Sequence, residues 1–367
     1  MIKILLTGDL HLGRNYQKEE TKVAEIYAAA RMQALENAVR IANRENCDYF
    51  VIAGDLFDKV NGIAVSLQKQ VCRVLDEFLG QAVLILPGNH DYYDAENDVL
   101  WKKFEEYSGA STRVFKETKA YQIGDVWFYP CICHDKHSKV NALGWLKNQQ
   151  DRERDFYHIG IAHGAIEGLS YDRNQEYYYM TGQELQSLNM DAWLIGHTHT
   201  CYPAVTDEST QQRVYNAGTP QQTDIADHSV GEVFVLEIHK DKHILAKKEK
   251  TGVIRFVKKT VQLQPGQNLE EALDFPDLQG EETSLRVLVS GIAAAEDYEN
   301  RNQVYEKLRN EFIKAEINDS GLRKEITAEM IRQETVDGSL MNQLLNLYID
   351  DAELLSLAYD LAASCKK

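Results

Sequence analysis

The first ninety residues alternate short apolar runs with helical patterns. The apolar runs occupy residues 2–6, 49–52 and 82–86. Between them, apolar side chains recur every three or four positions over residues 23–42 and 67–78, which is typical of amphipathic helices. This β-α-β-α-β order predicts parallel strands joined by crossover helices.

Further apolar runs add strands beyond this first unit. They lie at residues 126–129, 157–161, 192–195, 213–215 and 232–238. More than five strands in one large domain favour two packed sheets. We therefore expect an α/β fold, in which two packed mixed β-sheets are flanked by helices as an α-β-β-α sandwich.

The pattern changes after the last of these runs. Residues 243–263 are extended and lysine-rich, and Pro265-Gly266 then marks a turn. Residues 285–289 predict a strand and residues 298–315 a helix, which together make a small α/β unit. The expected division is a large domain over residues 1–250, a small α/β capping domain over residues 251–320 and a helical tail over residues 321–367.

The composition is that of a folded, soluble protein, with 44% hydrophobic and 26% charged residues. With 40 Lys and Arg against 57 Asp and Glu, the net charge of −17 opposes strong unassisted binding to nucleic acid. A site loaded with divalent cations, or a basic partner subunit, would offset that repulsion locally. The chain has no run of about 18 apolar residues and no cleavable signal pattern. We expect no membrane association and a cytoplasmic location.

Polar motifs follow several of the apolar runs directly. They are Asp9-Leu10-His11, Gly54-Asp55, Gly88-Asn89-His90-Asp91, His163-Gly164 and Gly196-His197-Thr198-His199. Because the carboxyl ends of parallel strands meet at one edge of a sheet, these motifs are expected to converge in a crevice. Asp9 and His11 are two positions apart, and so are His197 and His199. In an extended segment, both side chains of such a pair would point the same way. Carboxylate, imidazole and amide donors together suit borderline divalent ions such as manganese, iron or zinc.

The pattern D-x-H, G-D, G-N-H-D, H and G-H-x-H resembles that of the calcineurin-like metallophosphoesterases, and the match spans residues 9 to 199. The resemblance implies two metal ions. The ligands that it implies for the first ion are Asp9, His11, Asp55 and His199. Those for the second are Asn89, His163 and His197, with Asp55 bridging both ions.

This assignment agrees with the chemistry of two-metal sites. Two ions roughly 3.5–4 Å apart need a shared carboxylate, and together they clamp a phosphate while activating a water. Two carboxylates against two divalent ions leave a formal charge of +2, which attracts an anionic phosphate. His90 is the residue that we expect to stabilise the transition state and protonate the leaving oxygen. Asp91 is expected to orient His90.

Within this superfamily the sequence is most similar to the SbcD and YhaO-like branch of DNA repair exonucleases. The segments that carry this similarity are residues 9–13, 53–58, 86–91, 162–164, 191–197 and 216–220. Membership would imply a manganese-dependent DNA exonuclease and endonuclease that forms a homodimer and binds a coiled-coil ATPase through C-terminal helices. Asp58, where some relatives have His, and the residues that follow it depart from the branch pattern.

Two other functions stay open at this stage. The acidic net charge favours a phosphatase or phosphodiesterase acting on a smaller substrate, such as a phosphoprotein or nucleotide. A binding module with a vestigial metal site is disfavoured by the complete ligand set. The leucine-rich tail fits a partner helix, but packing of the tail on its own domain explains the leucines equally well.

Overall fold

The computed structural model describes residues 1–149, 152–205, 212–227, 229–278 and 282–364. The chain divides into two compact units, Met1–Ile254 and Arg255–Lys367. The first boundary was expected at residue 250, and the boundary between the two units lies at residue 254. Among the described residues, no helix has the length and apolar character needed to cross a membrane.

The first unit contains two β-sheets and their flanking helices. Its strands are β1 (Ile2–Thr7), β2 (Tyr49–Ala53), β3 (Ala82–Leu86), β4 (Thr112–Val114), β5 (Tyr121–Ile123), β6 (Val126–Cys131), β7 (Tyr157–His163), β8 (Ala192–Gly196), β9 (Val214–Asn216), β10 (Glu232–Ile238) and β11 (Ile244–Lys250). Its α-helices are α1 (Thr21–Arg44), α2 (Val65–Leu75), α3 (Leu100–Tyr107) and α4 (Gly182–Ser187), and Gly144–Asn148 forms a 3-10 helix.

Both sheets of this unit are mixed. The six-stranded sheet has the order β11-β10-β1-β2-β3-β4, in which β1 to β4 are parallel and β10 and β11 antiparallel. The five-stranded sheet has the order β5-β6-β7-β8-β9, with only β5 antiparallel to its neighbour. The predicted parallel order of the first three strands is therefore confirmed.

Three apolar clusters build the layers of this unit. Leu6 and Val51 of the first sheet pack with Phe128 and Ile161 of the second, which forms the core between the sheets. The opposite face of the first sheet packs against α1, α2 and α3, and a third cluster that includes Trp193 covers the outer face of the second sheet. This layering confirms the expected α-β-β-α sandwich.

The second unit has a parallel sheet in the order β12 (Arg255–Leu263), β13 (Thr283–Ala293) and β14 (Lys314–Lys324). Its helices are α5 (Leu269–Ala272), α6 (Ala295–Glu311), α7 (Ala328–Glu334), α8 (Leu340–Leu347) and α9 (Ala352–Ser364). The helix expected to extend to residue 315 ends at Glu311, and the tail expected from residue 321 begins only after β14. Both expectations were wrong because residues 314–324 pair in parallel with β13 and so form a strand.

Candidate metal centre

The five polar motifs follow β1, β2, β3, β7 and β8, all at the carboxyl ends of parallel strands. The first two loops lie side by side, because the amide of Asp9 donates to the carbonyl of Gly54 at 3.0 Å and that of His11 to Asp55 at 2.9 Å. The facing sheet adds His163 at the end of β7. The structure thus brings all the expected motifs together at one edge of the sandwich.

The backbone of the site is strained in the left-handed region. Four candidate ligands have positive φ angles: Asp9 (51°), His11 (46°), Asp55 (53°) and His197 (100°). Such conformations cost on the order of 1–3 kcal/mol each and persist where the surrounding structure enforces them. The expectation that Asp9 and His11 belong to an extended segment was wrong, because tight turns aim their side chains.

Two glycines permit the close approach of these loops. A Cβ atom on Gly54, whose φ is +94°, would lie 2.0 Å from Nδ1 of His163. A Cβ atom on Gly88 would lie 2.2 Å from Oδ1 of Asp55. Any side chain at either position would displace a candidate ligand, so these glycines are required by the site.

The first donor set consists of Asp9, His11 and His199. Oδ2 of Asp9 accepts a hydrogen bond from the amide of His197 at 2.8 Å, whereas its buried Oδ1 has no hydrogen-bond partner in the described part of the chain. The Nε2 atoms of His11 and His199 face each other at 3.3 Å, and Nε2 of His199 is 3.9 Å from Oδ1 of Asp9. One oxygen and two nitrogens therefore converge with lone pairs available for a cation.

The second donor set consists of Asn89, His163 and His197. Oδ1 of Asn89 lies 3.0 Å from Nε2 of His163 and 3.1 Å from Nδ1 of His197. The amide nitrogen of Asn89 donates to the carbonyl of Lys136 at 3.2 Å, which turns its oxygen toward the two rings. Nδ1 of His163 lies 2.8 Å from the carbonyl oxygen of Ala53, so a ring proton belongs on Nδ1 and Nε2 is the nitrogen that would bind a metal ion.

Asp55 lies between the two donor sets. Its Oδ1 accepts a hydrogen bond from the amide of His90 at 2.8 Å. Its Oδ2 is 3.6 Å from Nε2 of His11 and 3.4 Å from Nε2 of His163. One carboxylate oxygen thus faces both sets, as a bridging ligand requires, and the residues present fit two divalent ions.

Burial and mutual charge perturb the titration of these groups strongly. Burial raises the pKa of the Asp9 carboxyl to about 8. Burial alone would lower the pKa of His163, but the Asp55 carboxylate reverses this and raises it to about 9. Burial lowers the pKa of His197 and of His199 to about 3. His197 and His199 are therefore neutral ligands already, whereas Asp9 and His163 would release their protons when a metal ion binds.

His90 and Asp91 have different surroundings from those expected. Nδ1 of the half-buried His90 lies 3.1 Å from the carbonyl oxygen of Asp58. The oxygens of the fully buried Asp91 accept hydrogen bonds from the amides of Phe57 at 2.9 Å and Gly88 at 2.7 Å. The interpretation of Asp91 as the residue that orients His90 was wrong: Asp91 ties two ligand loops together, and the Asp58 carbonyl orients His90.

Sequence reasoning assigned no role to three residues beside the site. Oδ1 of Asp58 lies 3.3 Å from Nδ1 of His11, a contact that a carboxylate three residues after Asp55 could have suggested. The buried Arg31 donates to the carbonyl of Leu10 at 2.8 Å and so supports the first ligand loop. The ring of Tyr177 stacks on His197 at 5.2 Å between centroids, and no motif or spacing marks it.

Comparison with known proteins agrees with this site. Residues 2–201 match the family model of the calcineurin-like phosphoesterases, and the chain belongs to that family. The members of this family are phosphoesterases, and the described residues of this chain include clusters of His and Asp that could hold metal ions. Among curated proteins, it is similar to the uncharacterized metallophosphoesterase YhaO of Bacillus subtilis, with 26% identity over 207 residues. That alignment covers 52% of this chain and 47% of YhaO, less than half of the relative's length.

Three solved structures match this chain at low sequence identity. TT1561 of Thermus thermophilus is 13% identical, with a TM-score of 0.41, over 68% of this chain and 99% of that one. GAP50, the anchor in the inner membrane complex of Plasmodium, is 13% identical, with a TM-score of 0.40, over 68% of this chain and 84% of that one. A dimetal phosphatase from Danio rerio is 12% identical, with a TM-score of 0.37, over 68% of this chain and 96% of that one.

Proposed function

We propose that this protein is a two-metal phosphodiesterase that cuts DNA as an exonuclease and endonuclease. The observation that carries the proposal is the position of Asp55, whose Oδ2 faces His11 and His163 of two separate donor sets. When two divalent ions are bound, they neutralise phosphate charge and activate a water for attack on the phosphodiester. Manganese is the proposed metal, in keeping with the branch that the motifs resemble, and the mixed carboxylate, amide and imidazole donors also suit iron or zinc.

His90 is the proposed general acid. Its Nδ1 donates a hydrogen bond to the carbonyl of Asp58 at 3.1 Å, so the second proton of the imidazolium form lies on Nε2, and that proton is the one given to the leaving oxygen. The backbone amide of His90 also donates to Oδ1 of Asp55, which holds His90 next to the bridging carboxylate. Loss of the ring should therefore reduce catalysis while leaving the donor sets in place.

Aromatic and basic groups beside the site support a nucleic-acid substrate. The half-buried Tyr177 stacks on His197 and contacts the ring of His137 at 4.9 Å, and such rings can stack on a splayed base. Lys59 follows Asp58 in the chain, and the backbone carbonyl of Lys136 accepts a hydrogen bond from the side-chain amide of Asn89. Both lysines are exposed. These groups give an acidic protein locally favourable contacts for a phosphate backbone.

The C-terminal helices support the proposed partner. Leu345 and Leu355 are buried in a small cluster with Ile326 and Ile331, so part of the tail packs on itself. Other leucines of the tail remain exposed: Leu340, Leu344, Leu347, Leu354, Leu357 and Leu361. Exposed leucines on two helices fit a helical or coiled-coil partner such as an SbcC-like ATPase. We further propose a homodimer in the cytoplasm, in keeping with the branch that the motifs resemble.

The experiment that tests the proposal is degradation of end-labelled linear DNA by the purified chain with added manganese. Asp55→Asn and His90→Ala are compared with the native protein, and Asp135→Asn serves as the control, because it also removes one negative charge but at an exposed side chain. We expect metal-dependent cutting that both site variants lose and the control keeps. Intact DNA, together with hydrolysis of p-nitrophenyl phosphate through the same residues, would contradict the nuclease.

That contradicting outcome would support the second candidate, a phosphatase or phosphodiesterase for a smaller substrate. The net charge of −17 favours this candidate, because an acidic surface repels a long polyanion more strongly than a small phosphoester. The two candidates also differ in salt dependence. DNA cutting that rests on phosphate contacts should weaken steeply with salt, whereas hydrolysis of a small phosphoester should change little.

A further inference from the structure

His11 and His163 each turn Nε2 toward Asp55. They differ in the group that faces the other ring nitrogen, Nδ1. Nδ1 of His163 faces the neutral carbonyl of Ala53 at 2.8 Å. Nδ1 of His11 faces a carboxylate, Oδ1 of Asp58, at 3.3 Å. An acceptor at Nδ1 places the ring proton there, and a charged acceptor makes the opposite nitrogen a stronger metal ligand than a neutral one does.

The backbone fixes Asp58 in this position. Its amide donates to the carbonyl of Leu12 at 3.0 Å, and the amide of Leu12 donates to the carbonyl of Leu56 at 2.9 Å. Asp58 is thereby held against the loop that carries His11. The Asp58 side chain is 24% exposed against 5% for His11, so the carboxylate keeps contact with solvent while it supports a buried ring.

We propose that Asp58 is a positioning residue that sets the affinity of the first donor set (Asp9, His11 and His199) for its divalent ion. It does so electrostatically: a carboxylate oxygen 3.3 Å from Nδ1 favours the ring proton on that nitrogen, which leaves the Nε2 lone pair facing Asp55 and His199. The inference rests on the proposed two-metal function. It adds that the two ions depend on different outer groups, a carboxylate for the first set and a peptide carbonyl for the second.

Asp58 contacts the rings of His11 and His90 through different atoms. An effect on metal binding can therefore be distinguished from an effect on proton transfer by His90. Its side chain approaches His11, whereas its backbone carbonyl approaches His90 at 3.1 Å. The substitution Asp58→Asn removes the charge beside His11 and leaves the carbonyl beside His90. A change in ion binding caused by this variant therefore reports on His11.

The test is titration of the metal-free full-length protein with manganese alone, followed by calorimetry and by the electron paramagnetic resonance signal of the coupled ion pair. We expect two ions in the native protein. Asp58→Asn should weaken one of them about 10- to 100-fold and leave the other unchanged, so that the coupled signal appears only at higher manganese. Asp58→Glu, which keeps the charge, should restore part of the loss, and Asp135→Asn should bind like the native protein.

Two native-like binding events in Asp58→Asn would overturn the proposal, and so would an equal loss at both sites. Thermal unfolding with a chelator shows whether each variant is folded, and the partly exposed Asp58 predicts a native midpoint. If Asp58→Asn does not fold, the folded Asp58→Glu variant and His11→Gln are compared, and native ion binding by His11→Gln overturns the proposal. DNA cutting has no part in this test, so two bound ions without cleavage would contradict the proposed substrate alone.

Discussion

Individual ligands on either side of Asp55 differ in their access to solvent. In the first set, the side chain of His199 is 34% exposed, and the supporting Asp58 is 24% exposed. In the second set, His163 is fully buried and rests on the carbonyl of Ala53. The half-buried His90 lies beside His11, with ring centroids 4.7 Å apart. The same loops thus place one fully buried imidazole, His163, on one side of Asp55, whereas His90, His197 and His199 are partly exposed. The partly exposed imidazoles mark the side from which a phosphodiester can reach the ions and His90.

The substitution with the largest expected effect removes the residue that both sets share. Asp55→Asn should lower manganese-dependent phosphodiester hydrolysis on the order of a thousand-fold, because about 4 kcal/mol of charge stabilisation by the ions would be lost. The measurement is kcat/KM for a small phosphodiester, with Asp135→Asn as the control for charge. Activity above a tenth of the native value would show that neither set depends on Asp55.

The difference in burial predicts unequal effects on stability. In the presence of a chelator, His163→Ala should lower the free energy of unfolding by about 2–4 kcal/mol, because Asp55 loses its buried partner and the Ala53 carbonyl loses its donor. His199→Ala should lower it by less than about 1 kcal/mol, since its ring is partly exposed. Chemical denaturation measures both values. Equal losses would contradict the distinction between a buried and a partly exposed imidazole.

The stacking of Tyr177 on His197 predicts an effect that depends on the substrate. Tyr177→Ala should weaken DNA cutting about tenfold, because stacking of one base contributes about 1–3 kcal/mol. Tyr177→Phe, which keeps the ring, should remain near the native rate. Hydrolysis of p-nitrophenyl phosphate should change little in either variant. Loss of both activities in Tyr177→Ala would show instead that the ring only supports His197.

The smallest expected effect is a dependence of stability on pH in the metal-free protein. The pKa of His163 is raised from 6.5 to about 9 by Asp55 against its burial, and the pKa of Asp9 is raised by burial to about 8. Groups with raised pKa values stabilise the fold at low pH and lose that contribution as pH rises through the folded pKa. The unfolding midpoint should therefore fall by a few degrees between pH 6.5 and pH 9.

Saturating manganese should remove most of this dependence, because the ions replace the protons as the source of positive charge. His163→Gln should also reduce it, because glutamine carries no proton that titrates in this range. Thermal scans at several pH values measure each case. A midpoint of the native metal-free protein that rises with pH would contradict the pKa directions on which the prediction rests.

The strands that position the site were predictable from the sequence, because their buried apolar runs are continuous and the polar motifs follow at their ends. The run at residues 82–86 coincides with β3, and that at residues 232–238 coincides with β10. The strand β14 was not predictable, because Ala315 and Ile317 also fit the end of the preceding helix. Its identity depends on pairing with β13, which a local pattern does not contain.

The candidate ligands were likewise readable from motif spacing and resemblance, whereas their supports were not. The left-handed backbone of Asp9 depends on hydrogen bonds to the second loop, far along the chain. The partners of Asp91 and the contact between Asp58 and His11 are tertiary in the same way. The local sequence determines which residues can act as metal ligands. Packing between loops determines which atom each of these ligands faces.

The most direct test of the shared role of Asp55 is a crystal structure of the native protein soaked in manganese, with anomalous diffraction at the manganese edge. Two anomalous peaks roughly 3.5–4 Å apart should appear, with Oδ2 of Asp55 coordinating both. One peak should contact His11 and His199, and the other should contact Asn89 and His163. A single peak, or two peaks of which Asp55 contacts only one, would contradict the two-metal account.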